Sequence, residues 1–515
     1  MVNARDALNG LLRFVPTAGV AALAGAAAVA GSYAAAGFTG GFVVAPIASF
    51  LTAVMPDAFV TFAITTLGSL GQKLNLLMAF GVGVALFGSF GLLGVAVSRR
   101  IPAAGVAFTL LMSWATAYGL TGAALFAVAA SVPCAGIVAL AEVIRRYPEV
   151  EGEAHGRREV LGAAAGVLGL SVASYLLGSG ESESRTLGEI GLSASDADEV
   201  ESLISAAEER SMDVDGLEPL VSEDFYNVDI NSVDPNVDES EWSLTVTGEV
   251  EEEVTFTYDD LTSMEAEHRF VTLRCVGEDL NGKKMDNALW TGVSLWELVE
   301  QAGPEGDCGC VMLRAEDGYF EEFPIEAMRD GFLAYAMNGE ALPRGHGYPA
   351  RALIPGHWGE INVKWITEIE ILDEETDGYW EQRGWQGTGP VETVAKIHAV
   401  NDLQDGRKQV AGHTYAGTRG IRAVEVSVDG EETWDEAELS EPLPETAGDP
   451  PDEVGQTPFG EDVWRQWKYE YDPSEGGPTV TVRARDGNGN LQPKEETDSF
   501  PSGPTGWVTQ QVEMS

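Results

Sequence analysis

The chain has 515 residues, with 81 Asp and Glu against 31 Lys and Arg, a formal net charge of −50 and four cysteines. That length holds several domains, and four cysteines make no disulfide framework. So acidic a surface excludes nucleic acid as a partner, because phosphate binding needs basic surface.

The charge is uneven. Only seven of the acids, and nine of the Lys and Arg, lie in residues 1–180, so an apolar, nearly neutral part precedes a strongly acidic one. Dense acid on folded domains fits a protein kept hydrated in concentrated salt, where screening weakens self-repulsion. The expectation is a halophilic, haloarchaeal source, with an ordinary acidic protein as the alternative.

Apolar runs near 16–37, 74–97, 102–119, 121–143 and 159–178 each suit the roughly twenty residues that cross a bilayer. The stretch 42–68 is also apolar, but Met55-Pro56-Asp57 divides it. Arg and Lys collect on the cytoplasmic side of spans. Arg5 and Arg13, Arg99-Arg100, and Arg145-Arg146 with Arg157-Arg158 all lie inside if 42–68 enters and leaves on one face. Only Lys73 disagrees. The reading is a transmembrane anchor over 1–180, with five spans plus a broken re-entrant pair. It is multi-pass in the cell membrane, with the N-terminus inside and the following domains on the extracytoplasmic face. Arg157-Arg158 before an apolar run also look like a twin-arginine export signal, plain positive-inside arginines being the alternative. The six histidines, His155, His268, His346, His357, His398 and His413, all lie outside the spans. No haem in this chain is therefore expected, since a bundle haem needs two axial ligands within it. The spans carry almost no charge, so an ion path is not indicated.

Residues 181–220 are rich in Glu, Ser, Asp and Gly and read as an acidic linker, with one amphipathic helical piece near 196–210. From 221 to 397, short strands (Trp242–Val246, Val254–Tyr258, Phe270–Arg274) alternate with helical pieces (Ser294–Gln301, Ile325–Met328). After 398 the helical pattern disappears. The alternating runs Ala423–Val428 and Thr479–Ala484, with Asp429-Gly430 and Asp486-Gly487 turns, predict a small β-sandwich over 398–515.

Cys275 closes the run Val271-Thr-Leu-Arg-Cys275-Val-Gly277. A lone cysteine at a strand end is a small buried hydrophobe, the commoner case, or a thiolate ligand or nucleophile. No neighbouring Cys or His spacing supports zinc. Cys308-Gly-Cys310 is expected to be an incidental pair.

Several blocks in order decide between these readings. Thr272-Leu-Arg-Cys275-Val-Gly, Asn287-Ala-Leu-Trp290-Thr-Gly-Val293, Met337-Asn-Gly-Glu-Ala-Leu-Pro343, His346-Gly-Tyr-Pro-Ala-Arg351, Pro355-Gly-His-Trp-Gly359, Val363-Lys364-Trp365 and Gly378-Tyr-Trp380 resemble the sulfite oxidase family of molybdenum enzymes over about 221–397. The sandwich resembles that family's C-terminal immunoglobulin-like domain. The resemblance implies an α+β molybdopterin-dependent oxidoreductase performing oxygen-atom transfer on a small-molecule substrate. It further implies Mo-molybdopterin as cofactor, Cys275 as the metal's thiolate ligand with Arg274 favouring deprotonation, and a separate electron-transfer partner. A homodimer through the C-terminal domain completes the expectation. Tyr226, Asn227, Arg274, Cys275, His346, Arg351, Asn362, Val363 and Lys364 are the implied cofactor-binding positions. A guanidinium suits the cofactor's phosphate and a lysine adds a point charge.

The departures concern substrate. Glu278-Asp279 stand where the family carries basic residues, Trp385 where it carries a tyrosine, and Asn227 where an arginine is expected. Arg419 is the remaining substrate-side arginine, and Cys275, Trp385 and Arg419 form the catalytic set. Weak sulfite turnover is expected, with reduction of S-oxide or N-oxide substrates as the alternative. A non-catalytic, membrane-anchored binding protein is a further alternative, and a transporter the last.

Overall fold

The computed structural model describes residues 4–63, 67, 69–146, 185–444, 462–473 and 478–512. The chain forms two compact units, one of residues 1–183 with 229–236, the other of 184–228 with 237–515.

In the first unit, four helices are long and apolar enough to cross a membrane, over Thr17–Ala36, Leu70–Ser98, Ala103–Thr121 and Ala124–Val143. Small residues let them approach closely, as expected where packing rather than hydrophobic expulsion joins helices: a Cβ on Gly25 would run into the Val84 carbonyl, and one on Gly88 would lie 2.7 Å from that of Ala21. Large apolar side chains face outward, among them Leu77, Leu111 and Leu125, a surface suited to lipid. The stretch after the first span is two short helices, Val44–Val54 and Asp57–Phe62, parted at Met55 and Pro56, both extended. Proline cannot donate an N–H and favours such a break. Side chains supply partners around this region: the Val43 amide donates to Ser32 Oγ at 3.1 Å, and Asn75 Nδ2 donates to Thr52 Oγ1 at 3.0 Å and to Ser232 Oγ at 3.2 Å. The fifth expected span, 159–178, and Arg157-Arg158 lie outside the described residues.

The second unit begins earlier than composition indicated. Residues 184–220, expected as linker, belong to the folded body. Ser193 and Asp196 cap a helix, Ala194–Arg210, whose Val200, Leu203 and Ala207 are buried. Beyond it the Met212 amide donates to Gln466 Oε1 at 2.6 Å. An amphipathic stripe that finds an apolar surface folds, whatever the charge of its other face.

Two sheets follow. One runs, in spatial order, Val254–Thr257, Ser243–Gly248, Ile366–Leu372, Cys310–Ala315 and Phe320–Pro324. The other runs Glu267–Arg274, Met285–Ser294, Phe332–Met337 and Glu340–Ala341, with Arg351–Leu353 also paired to Phe332–Met337. Met285–Ser294 is buried along nearly its whole length, which explains its unbroken apolar centre. Helix Leu295–Ala302 is capped by Ser294. Cys308 and Cys310 are joined by a disulfide at the entry to the strand Cys310–Ala315, which corrects their reading as incidental. The two positions converge across the turn at Gly309, whose φ is +63°, something spacing alone does not reveal.

Residues 394–511 form two further sheets. Lys408–Tyr415 and Arg465–Tyr471 lie at the centre of one, Ile421–Ser427 and Thr479–Asp486 at the centre of the other. They enclose a shared core including Val410, Trp467, Val424, Val482 and Val508.

A buried charge network fastens this layer to the preceding one. Glu278, 2% exposed, receives Arg274 Nε at 2.8 Å, Lys396 Nζ at 2.6 Å and the Lys284 amide at 3.0 Å. Arg274 also donates to the carbonyls of Glu392 and Pro504 and stacks over Trp358. Removing one member of a buried ion group strands the others without water. Glu278→Ala is therefore expected to cost about 3–5 kcal/mol of stability, read from chemical unfolding. A loss near zero would show that Arg274 and Lys396 find other partners.

Candidate active site

Strand Glu267–Arg274 ends at Arg274, and Cys275 is the first residue beyond it. Arg274 enters the buried network, and Cys275 stands at the strand's exit, its amide donating to the Lys284 carbonyl at 2.9 Å. Cys275 keeps some exposure, yet desolvation raises its thiol above the ordinary value, opposed first by the charge of Lys284. Arg274 was expected to assist ionisation. Its guanidinium is bonded to Glu278 and to the carbonyls of Glu392 and Pro504, and Lys284 is the first charge that favours the thiolate.

The same unit holds a basic group. Lys364 Nζ donates to Asn227 Oδ1 at 2.6 Å and to the Gly345 carbonyl at 3.0 Å. Arg351 donates to the carbonyls of His346 and Asn362. His346 is pushed down to about 3 by burial and by the charges of Arg351 and Lys364, so its ring is neutral. Gly347, at φ +112°, lets these groups close up, since a Cβ there would lie 3.0 Å from the Cβ of both Arg351 and Lys364. Asn362 holds the turn, its Oδ1 accepting from the Ile354 amide at 2.7 Å and its Nδ2 donating to the Trp358 carbonyl at 2.9 Å. The Val363 carbonyl accepts from the Ala352 amide. Phe225 stacks on Tyr226 and meets His346 edge-on, each at 5.5 Å. Burial raises the Tyr226 hydroxyl well above its usual range, with a further contribution from Cys275, which places the two side chains within electrostatic reach. Tyr226 and His346 thus meet through Phe225, and His346 lies with Arg351 and Lys364 around Gly347.

The substrate-side expectations fare differently. Glu278 is ion-paired with Arg274 and Lys396, though its charge still adds to the rise of the Cys275 thiol. Arg419 is committed to the Val391 carbonyl at 2.8 Å and to Asp486 at 3.3 Å. Trp385 is 2% exposed and packs on Trp380 and Phe500; its Nε1 has no acceptor among the described residues.

Sequence reading missed three features. Lys284 is the cation that acts on the thiol. Asp286 is pushed up to about 7 by burial while accepting the Tyr226 amide at 2.7 Å. Glu360 is buried next to Gly359, and a Cβ on Gly359 would lie 2.8 Å from the Tyr226 hydroxyl. No local pattern marks any of them.

Comparison with known proteins gives the class. Residues 231–380 match the oxidoreductase molybdopterin binding domain family, and residues 391–502 the Mo-co oxidoreductase dimerisation domain family. The chain is 28% identical over 309 residues to mitochondrial sulfite oxidase of Rattus norvegicus, covering 50% of this chain and 54% of that protein. It therefore spans about half the length of the curated sulfite oxidases it matches. It is 30% identical over 154 residues to an uncharacterised oxidoreductase, YuiH, of Bacillus subtilis, covering 30% of this chain and 76% of that protein. It is 26% identical over 326 residues to the NADH nitrate reductase of Spinacia oleracea, covering 51% of this chain and 34% of that one. With Cys275, His346, Arg351 and Lys364 inside the first of these matches, the chain belongs to the sulfite oxidase family of molybdopterin-dependent oxidoreductases.

Proposed function

We propose that this chain is a membrane-anchored enzyme that transfers an oxygen atom at a molybdenum held by Cys275. What supports the proposal is a partly exposed thiol at Cys275 together with a compact basic group around the neutral His346 in the same matched domain. Among the described residues no three His, Cys, Asp or Glu side chains could hold a metal together. A metal at Cys275 thus takes its other ligands from a cofactor, and Mo-molybdopterin fits that donor set. When bound, it supplies two-electron oxygen-atom chemistry.

The chain's own residues do the rest. Cys275 offers a soft thiolate. Arg351 and Lys364 would offer positive charge to the pterin's phosphate, with Asn227 holding the lysine in place. His346, being neutral, would offer hydrogen bonding without charge. Phe225 and Tyr226 would contribute aromatic surface to the pterin site, and Asn362 and Val363 set the backbone that carries Lys364. Cys275→Ser should fold, yet lose oxygen-atom transfer and most bound molybdenum, because a hard hydroxyl replaces a soft ligand. Metal and pterin analysis of the full chain checks this, and undiminished molybdenum in the variant would remove Cys275 from the centre.

Charge bears on the substrate. With Glu278 ion-paired, the chief bar to an anion is reduced, and Lys284 is the cation acting near the thiol. A small sulfur oxyanion such as sulfite is the first reading. A neutral S-oxide or N-oxide is the second, favoured by the apolar Trp385 and the commitment of Arg419. One unit charge near an incoming anion contributes about 1–4 kcal/mol at protein-surface dielectric. Lys284→Gln should therefore lower kcat/KM for sulfite roughly tenfold or more and leave a neutral sulfoxide unaffected. Steady-state kinetics on both substrates in molar salt decides between the readings.

The four apolar helices serve as the anchor, and we place the catalytic domain on the extracytoplasmic face. The C-terminal layer is taken as an immunoglobulin-like domain that pairs two copies, and electrons pass to a separate protein. If Arg157-Arg158 form an export signal, replacing both by lysine should strand the domain inside although charge is preserved. Protease accessibility in spheroplasts reads the outcome, and normal export would make the pair simple topology charges.

A further inference from the structure

Three carboxyl groups and a tyrosine meet beside the site with no cation among them. Glu321, on the strand Phe320–Pro324, is fully buried, and Glu360, in the turn Gly359–Ile361, is 9% exposed. Glu381 begins the turn Glu381–Arg383. Neither oxygen of Glu381 and not Oε1 of Glu321 has a hydrogen-bond partner among the described residues, and the Gly387 amide is the donor that acts on Glu360. Glycines admit them: a Cβ on Gly378 would run into Glu321, and one on Gly387 into Glu360.

Proton bookkeeping follows from geometry. The Tyr319 hydroxyl lies 2.8 Å from both Glu321 Oε2 and the Glu360 carbonyl. A phenol has one hydrogen to donate, so a hydrogen bond at both contacts needs a hydrogen from Glu321. The Glu321 and Glu381 carboxyls also face each other, which requires a proton between them, since ionised carboxylates only accept. Burial agrees: Glu321 is pushed up to about 11 by desolvation and then by Glu381, and Glu360 to about 8 by desolvation and then by Glu381, only the Gly387 amide opposing. Nearby Glu322, pushed up to about 7 by burial with Glu375, Glu381 and Asp377 adding, supplies more negative charge rather than relief. Glu360 follows Gly359, where a Cβ would lie 3.3 Å from the carbonyl oxygen of Arg274, the residue before Cys275, and the Glu360 charge acts weakly on the Cys275 thiol.

We propose that Glu360, positioned by Glu321, Glu381 and Tyr319, stores a proton beside Cys275 and exchanges it with the site during turnover. This rests on the oxygen-atom-transfer reading above. In the oxidative direction, substrate and water give oxygenated product, two protons and two electrons. The electrons leave to a one-electron carrier, a dye in the assay; Glu360, having released its own proton to solvent, takes up one of the two protons and the other leaves to solvent. The reductive direction returns it.

The test uses the full chain in detergent. Near neutral pH its infrared spectrum should contain the C=O stretch of protonated carboxylic acid, diminished in both Glu360→Gln and Glu321→Gln. Both variants should fold with unchanged or raised melting temperature. At neutral pH the unfolded chain ionises these groups and the native chain does not, so burial of the acid opposes folding and glutamine removes that opposition. Glu360→Gln should lower kcat on the order of 10²-fold, the usual worth of a proton-transfer group, with KM little changed and the alkaline limb of the kcat profile lost. A wild-type protein that binds molybdenum but lacks the band, or a Glu360→Gln variant with wild-type band and pH profile, overturns the inference. A chain that shows the band yet binds no molybdenum overturns the reading of the site, and the coupling with it.

Discussion

The buried joint around Glu278, at the point where strand Glu267–Arg274 gives way to Cys275, governs the second unit. Arg274 sends its guanidinium into that joint, where it is fully buried, and Cys275 follows directly as the one residue between strand and loop that keeps a thiol partly exposed. Glu278 holds the arrangement by taking Arg274 and Lys396 together and accepting the Lys284 amide. The same carboxylate thus ties the C-terminal layer to the strand and shapes the loop that presents Lys284 near Cys275.

Charge in this protein is organised by burial. Most of its acid is solvated surface, which accounts for the net charge without touching function. The few bases inside the soluble unit have defined tasks: Arg274 and Lys396 neutralise Glu278, and Arg351 and Lys364 surround His346. The buried acids divide likewise. Glu278 is met by the two cations Arg274 and Lys396, whereas Glu321 and Glu360 are pushed up by burial and by Glu381. Identical side chains differ in this way because desolvation favours the neutral form unless a partner offsets it.

The first unit obeys a different solvent. Leu77, Leu111 and Leu125 are exposed while Phe42 and Phe87 are buried, and glycines such as Gly25 and Gly88 let the helix backbones approach closely. Asn75 and Ser32 supply polar partners near the broken segment around Pro56, which an apolar environment would not provide.

The sequence alone determined what depends on neighbours along the chain. Apolar runs of spanning length marked the four described helices, alternation marked strands such as Thr479–Asp486, and ordered blocks around Cys275, His346 and Lys364 marked the site. Pairings across long separations were decided by the tertiary structure alone. Glu278 is adjacent to Asp279 in sequence and read as bare charge, yet its neutralising Lys396 lies 118 positions on. Residues 184–220 read as linker because composition reports a segment's solubility and not the surface available to its apolar stripe. Cys308 and Cys310 bond because of the turn between them. Glu321, Glu360 and Glu381 come together from a strand and two separate turns. Periodicity and composition record forces that act within a few residues, whereas the state of a buried charge is set by whichever groups the fold brings against it.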